Sequence, residues 1–271
     1  MDRLEHYLRH HAKVPGWLHD YSARFIVEIA RIQAARGLKG SVAEIGVHMG
    51  RLFILLRLLL APHERALALD VFQDQQLNID GSGAGDEKRF RRNVERWASM
   101  HSVEIIRASS LDVTAHEIVS KVGPLRLLSI DGGHTAECTL NDLRLAEHAL
   151  TDRGVAILDD YFNPSWPDVT TGAAQFFADS STTLRPFAIT PNKVYLARQA
   201  CHGLYVAELR ATQSDFHEKD SRMFGVPVAI FGVEPETYRF EKRLKRWLKD
   251  SAAGPGLVAA RRRLRVATGH N

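Results

Sequence analysis

Leu125-Arg126-Leu127-Leu128-Ser129-Ile130-Asp131-Gly132-Gly133-His134 is the stretch on which the reading of this 271-residue chain turns. Its first half is an apolar run of the length of a buried strand. The segment after it places Ala136, Leu140, Leu143, Ala146 and Leu150 on one face of a helix. A carboxylate and an imidazole three positions apart therefore lie where a strand ends and a helix begins. In an open α/β sheet, ligands bind just outside the carboxyl ends of the strands. Asp-Gly-Gly-His is also an ordinary turn composition, with Asp bonding local backbone and glycines supplying unusual dihedrals. The flanking sequence has to choose between the two.

Upstream, the alternation of strand and helix repeats. Ser41 to Val47 reads as a strand, Arg51 to Leu60 as a helix stopped by Pro62, and Ala66 to Val71 as a second strand with Asp70 near its end. Phe72 to Asp86 is polar, glycine-rich and aperiodic, which predicts a long loop of the kind that serves as a lid or binding loop. Glu87 to His101 is a helix with Phe90, Val94, Trp97 and His101 on one face. Val103 to Ala108 is a strand followed by Ser109-Ser110, and Ala115 to Lys121 is a helix. Downstream, Val155 to Leu158 is a strand that ends in Asp159-Asp160-Tyr161. Leu184 to Ile189 and Lys193 to Arg198 flank the turn Thr190-Pro191-Asn192 and read as a hairpin. The pattern predicts an α/β fold: a doubly wound, mostly parallel seven-stranded sheet with a C-terminal antiparallel hairpin.

Residues 1 to 36 read as helical, with Leu4, Tyr7, Leu8 and His11 sharing one face, Tyr21, Phe25, Ile29 and Ile32 another, and Pro15-Gly16 between them. Such an extension could pack on the sheet, cover a ligand or join two copies in a homodimer. Beyond Gln199, Val226 to Val233 could be a further strand, and Phe240, Leu244, Trp247 and Leu248 fit a helix. Arg261, Arg262, Arg263 and Arg265 read as a solvated face rather than a nucleic-acid site. No repeat or linker divides the chain. The expectation is one domain over 1–271, with a core at 40–200 and extensions at 1–36 and 201–271.

Hydrophobic residues at 45% and charged residues at 25% are those of a globular chain that can bury a core, and the net charge of +4 is weak grounds for a polyanionic partner. Cys138 and Cys201 lack metal-ligand spacing, which predicts reduced thiols in a cytoplasmic protein. The charged N-terminus, Met-Asp-Arg-Leu-Glu, does not read as a signal peptide. The apolar stretch Leu52 to Ala61 is too short for a bilayer and is broken by Arg57. No membrane partner is expected.

Glu44-x-Gly46-x-x-x-Gly50 directly follows a strand and precedes a helix, so its glycines let backbone approach a ligand at a helix N-terminus. Asp70 stands 20 residues after Gly50 at the end of the next strand, where an acid typically accepts from ribose hydroxyls. This pattern resembles the cofactor half of class I S-adenosylmethionine-dependent methyltransferases. The resemblance implies that Glu44 faces the amino-acid end of the cofactor, that Gly46, His48 and Gly50 line its middle, that Asp70 holds the ribose, and that Ser109 or Ser110 lies near the adenine.

Asp131 and Asp159-Asp160 end strands that, as neighbours, would lie about 4.8 Å apart. Three clustered acids repel unless a cation joins them, and carboxylates suit a hard divalent ion such as Mg²⁺. Successive strand residues point to opposite faces, so Asp159 and Asp160 can share an ion only if the chain leaves the strand there. Alternatively one of them merely caps a loop. Ile130-Asp131-Gly132-Gly133-His134 with Leu158-Asp159-Asp160-Tyr161 resembles a metal-dependent group of sugar O-methyltransferases, those acting on macrolide sugars and methylmannose polysaccharides. By that resemblance Asp131, Asp159 and Asp160 are metal ligands, and His134 is the general base that deprotonates the acceptor hydroxyl. The group's second ligand is often glutamate, and Asp159 shortens that reach by one methylene.

The loop Phe72 to Asp86 resembles the group's substrate loop, and Gln76, Asn78 and Tyr161 are the candidate contacts for a small-molecule or oligosaccharide acceptor. Catechol-type O-methyltransferases are the near alternative, but they carry lysine where this chain has His134 and asparagine where it has Asp160. An NAD-dependent oxidoreductase should show a three-glycine fingerprint, which is absent. A nucleic-acid methyltransferase should show an Asn/Asp-Pro-Pro-aromatic motif after the fourth strand in place of Asp-Gly-Gly-His.

Overall fold

The computed structural model describes residues 2–233. In chain order it contains α1 (Arg3–His10), α2 (Asp20–Ala35), β1 (Ser41–Ile45), α3 (Arg51–Leu58), β2 (Ala66–Asp70), α4 (Glu87–Trp97), β3 (Val103–Arg107), α5 (Ala115–Val122), β4 (Leu125–Ile130) and α6 (Ala136–Ala149). There follow β5 (Leu150–Asp159), α7 (Pro167–Ala178), β6 (Leu184–Thr190), β7 (Lys193–Arg198), α8 (Gln199–Thr212), β8 (His217–Met223) and β9 (Val226–Phe231). The sheet order is β3-β2-β1-β4-β5-β7-β6-β9-β8. Strands β1 to β5 pair in parallel, and β7 runs antiparallel to both its neighbours. The seven strands expected are therefore present, and β9 adds to β6 in parallel with β8 antiparallel at the edge, which makes nine.

Period-two alternation sorts the strands onto two cores. Val42, Ala66, Ala68, Leu127, Val155, Ile157 and Tyr195 pack with the N-terminal helices, α3, α4 and α8. Ala43, Ile45, Leu67, Leu69, Leu128, Ile130, Ala156, Leu158 and Val194 pack with α5, α6 and α7 on the other face. Burial on both faces is why these strands read as continuous apolar runs. The same parity puts Glu44, Asp70, Asp131, Asp159 and Lys193 all on the first face, at the carboxyl-terminal edge of the parallel strands.

The predicted N-terminal helices cover that first face: Tyr7, Phe25, Ile26 and Ile29 are fully buried, and the Tyr7 hydroxyl donates to the Arg51 carbonyl at 2.6 Å. Two helices escaped the sequence reading. In α7, Pro167 sits at the first helical position, where its missing N–H costs nothing, while α8 begins without a side-chain cap directly at the end of β7. Phe72 to Asp86 is a loop except for one 3₁₀ turn at Gln75–Leu77. The helix expected around Phe240, Leu244, Trp247 and Leu248, and the arginine-rich tail, lie outside the described residues. Among the described residues no helix is long and apolar enough to cross a membrane.

Candidate active site

A cavity of about 510 Å³ opens at the carboxyl-terminal edge of β1, β2, β4 and β5. It takes in Gly46 and His48 after β1, Asp70 at the end of β2, Ser109 and Ser110 after β3, Asp131 to His134 after β4, and Asp159 and Asp160 at the end of β5. The loop between β2 and α4 contributes Gln75, Leu77, Asn78, Ile79, Ser82, Gly83 and Gly85.

At the β1 end, Gly46 has φ +80°, and a Cβ there would stand 1.8 Å from the Asp131 carbonyl oxygen. Only glycine lets the ends of β1 and β4 cross this closely. Gly50 also adopts a left-handed φ, +90°, and starts α3; it lies behind the cavity wall against Phe90. Glu44 is 2% exposed, its Oε2 has no hydrogen-bond partner, and burial holds its carboxyl well above the usual range. An unpartnered buried oxygen suits a ligand that brings its own donor, but Glu44 is not part of the cavity wall. Asp70 accepts from the His48 N–H at 2.7 Å and the Phe72 N–H at 2.6 Å, so its carboxylate is fixed in place. Ser109 Oγ caps the turn that follows β3, and Ser110 is buried beside it.

At the other end, β5 stops at Asp159 and Asp160 adopts φ +57°. The chain thus leaves the strand between the two acids, and they part company. Asp159 faces β7, where the register sets Lys193 directly opposite, and Lys193 Nζ donates to Asp159 Oδ2. Asp159 Oδ1 accepts from Asn192 at 2.9 Å and from the Asp160 N–H at 2.9 Å. Both Asp159 oxygens are engaged by the chain itself. The three aspartates expected as metal ligands are therefore not placed alike: Asp159 is paired with the Lys193 ammonium, on which the charges of Asp159, Asp131 and Glu44 act. The groups that do converge are Asp131, His134 and Asp160, with ligand atoms within 4.8 Å of one another. Nothing among the described residues donates a hydrogen bond to the Asp131 carboxylate, and burial, then the nearby Asp159 charge, raises it well above the carboxylate range. Asp131 and Asp160 are thus a donor set that fits a hard divalent ion, which commonly takes one or two carboxylates and completes its shell with water.

His134 is held on both sides. Its Nδ1–H donates to Asp80 Oδ2 at 2.8 Å, its backbone N–H donates to the same oxygen at 2.5 Å, and Nε2 lies 3.0 Å from Asp160 Oδ2. The Trp166 ring stacks on the imidazole, with centroids 4.3 Å apart and planes 14° from parallel. Burial alone lowers the His134 pKa, but the hydrogen bonds to Asp160 and Asp80 outweigh it and raise it to about 9. On Asp160 burial is likewise outweighed, by bonds from His134, Asn192 and Asn163, and the pKa falls to about 2.

Two of the three acceptor-contact candidates are elsewhere. Gln76 is exposed and does not line the cavity, because the 3₁₀ turn presents Gln75 inward instead. Tyr161 packs edge-on against Phe162 and lies outside the cavity wall. Asn78 does line it, but its amide is spent on the carbonyls of Ser82 and Gly83. Sequence reasoning missed Asp80, Asn192 and Lys193. Lys193 could have been found by pairing the hairpin with β5, since it starts β7 opposite the end of β5. Asp80-Gly81-Ser82 carried a turn signal and no more.

The family described as "Methyltransferase domain" matches residues 43–161. Among solved structures, the O-methyltransferase NovP superposes with a TM-score of 0.55 at 20% identity, over 65% of this chain and 80% of that one. CalS11, a TDP-rhamnose 3'-O-methyltransferase of calicheamicin biosynthesis, gives a TM-score of 0.50 at 15% identity, over 73% of this chain and 93% of its own. TomG from Streptomyces achromogenes, an O-methyltransferase of tomaymycin synthesis solved with S-adenosylmethionine, gives 0.50 at 16% identity, over 73% and 89%. No curated protein matches in sequence. The fold is that of the class I methyltransferases. Residues 43–161 match the methyltransferase-domain family, and the fold is the one these O-methyltransferases share.

Proposed function

We propose that the enzyme transfers the methyl group to a hydroxyl of a sugar or glycoside, with His134 as general base. The observation that carries this reading is the single cavity that joins Asp70 and Gly46 at one end to His134, Asp131 and Asp160 at the other. Gly46, His48, Asp70, Ser109 and Ser110 line the cofactor half, with Glu44 and Gly50 behind its wall, and S-adenosylmethionine bound there supplies a sulfonium methyl. Asp131 and Asp160 are the residues to hold a divalent cation such as Mg²⁺, which supplies Lewis acidity toward the acceptor oxygen. His134 takes the hydroxyl proton on Nε2, and its neighbours Asp80 and Asp160 stabilise the imidazolium that results. Trp166 closes one face of the imidazole and limits water there. A sugar acceptor is supported by CalS11, which acts on TDP-rhamnose, and by the polar floor that Asn163, Ser165 and Asn192 give the cavity.

The test is a methyl-transfer screen with S-adenosylmethionine against a panel of sugars, glycosides and phenols, run with Mg²⁺ and with chelator. Turnover on a sugar hydroxyl that chelator abolishes is the expected result. Turnover on phenols alone would replace the acceptor class, and full activity in chelator would remove the cation from the account.

A further inference from the structure

We propose that Asp80 is the positioning residue for His134, and that the β2–α4 loop thereby couples closure over the cofactor end of the cavity to orientation of the base. The inference rests on the assignment of His134 as that base. Asp80 is 54 residues from His134 in sequence, and its side chain is only 9% exposed although it sits on a loop. One oxygen, Oδ2, accepts both from the His134 backbone N–H and from Nδ1–H. The two bonds fix the rotation of the imidazole and put a proton on Nδ1, so that Nε2 is the nitrogen turned toward Asp160 and the cavity. The other oxygen, Oδ1, accepts from the Ser82 N–H at 2.8 Å and so locks the turn that brings Asp80 inward. Ser82 Oγ stands 3.1 Å from the same imidazole nitrogen.

The next residues of this loop reach the cofactor end. A Cβ on Gly83 would lie 3.8 Å from the His48 ring, and one on Gly85 would lie 3.0 Å from Asp70 Oδ1. Gly85 thus lies almost against the carboxylate assigned to the ribose, five residues after the carboxylate that holds the base. No residue between them is in a helix or strand. The Asn78 amide ties the two parts together by donating to the carbonyls of Ser82 and Gly83, at 2.7 and 3.2 Å. A loop built this way sets the base when it lies over the cofactor pocket, and releases it when it lifts. Orientation before reaction is a recognised source of rate, because it removes from the transition state the cost of finding the productive geometry.

The experiment compares wild type, Asp80→Ala, Asp80→Asn and His134→Ala, each saturated with S-adenosylhomocysteine as the probe. Long-range ¹H–¹⁵N spectra read the histidine ring nitrogens, with His134→Ala identifying the His134 signals. Expected are an Nδ1–H signal protected from exchange with water in wild type, an exchanging one in Asp80→Ala, and the wild-type signal in Asp80→Asn, whose amide oxygen can still accept both bonds. With the acceptor found in the screen, Asp80→Ala should lower kcat by about 10- to 100-fold, as losses of such outer partners do, while KM for S-adenosylmethionine changes by less than about threefold. Asp80→Asn should restore kcat to within about threefold of wild type. A His134 signal in Asp80→Ala identical to wild type overturns the proposal, as does an Asp80→Asn enzyme no better than Asp80→Ala. Wild-type turnover in His134→Ala overturns instead the base assignment on which it rests.

Discussion

Replacing Lys193 by methionine tests the charge balance on which the site is built. Lys193 is 2% exposed, and its ammonium is the positive charge among Asp159, Asp131 and Glu44. Methionine keeps most of the volume and removes only the charge and its donors. Breaking a buried pair by removing one partner costs about 3–5 kcal/mol, because the other charge is left uncompensated. Urea denaturation at pH 7.5 should therefore show a loss of about that size. Glu44 and Asp131, whose carboxyls burial already raises well above the usual range, take up protons as the pH falls, so the loss should shrink. Asp159→Asn added to Lys193→Met should recover most of it, with a coupling of at least about 2 kcal/mol in the double-mutant cycle. Millimolar Mg²⁺ should raise the Tm of the Lys193→Met protein more than that of wild type, since the vacated charge is one a divalent ion can supply. A loss under about 1 kcal/mol, the scale of an exposed pair, or one that does not change with pH, would refute the reasoning.

Other consequences follow from single groups. Because bonds to Asp160 and Asp80 raise His134 to about 9, it is protonated at neutral pH. Without added cation the His134 ring should titrate at about pH 9 in NMR spectra of the resting enzyme, and the absence of any His134 titration between pH 6 and 10 would contradict this. The same pair adds stability that is complete below the ordinary histidine pKa of 6.5 and is lost as pH rises through about 9. Asp142, in α6, is fully buried with Oδ2 unpartnered, and burial pushes its carboxyl up to about 7. Folding therefore weakens as pH rises from about 4 to 7. The buried carboxyl costs up to about 4 kcal/mol at pH 8, and an unpaired amide returns about 2 kcal/mol of that cost. Asp142→Asn should accordingly stabilise the protein by about 2 kcal/mol at pH 8 and not at pH 4, as thermal unfolding at the two pH values will show. Gly46→Ala forces a Cβ into the Asp131 carbonyl and should abolish S-adenosylhomocysteine binding in calorimetry; retained binding would show that β1 and β4 can separate.

The core of the fold was legible because its signals are local. Apolar runs such as Leu125 to Ile130 and turns such as Thr190-Pro191-Asn192 carry their own period and breakers, and the strands formed where expected. The extra pair β8–β9 was half visible: Val226–Phe231 is apolar, but His217-Glu218-Lys219-Asp220-Ser221-Arg222 is polar on both faces, as an exposed edge strand can be. The site was legible where one residue's place follows from a strand end, as for Glu44, Gly46, Asp70, Asp131 and His134. It was not legible where chemistry depends on what lies across the sheet or over a loop. Adjacent aspartates look equivalent in a sequence. Only the register of β5 on β7 and the left-handed φ of Asp160 commit Asp159 to Lys193 and turn Asp160 to His134. Asp80 is one polar residue in an aperiodic loop, and no periodicity rule reaches its partner 54 residues away.

A cofactor lying across Gly46 with its ribose on Asp70 would point its methyl group at His134. Calorimetric titration of S-adenosylhomocysteine into wild type and Asp70→Asn tests it most directly. One site per chain is expected, weakened about tenfold or more by the substitution, as for a lost hydrogen bond to a charged group, and left nearly unchanged by His134→Ala. Equal affinity of wild type and Asp70→Asn would contradict the claim.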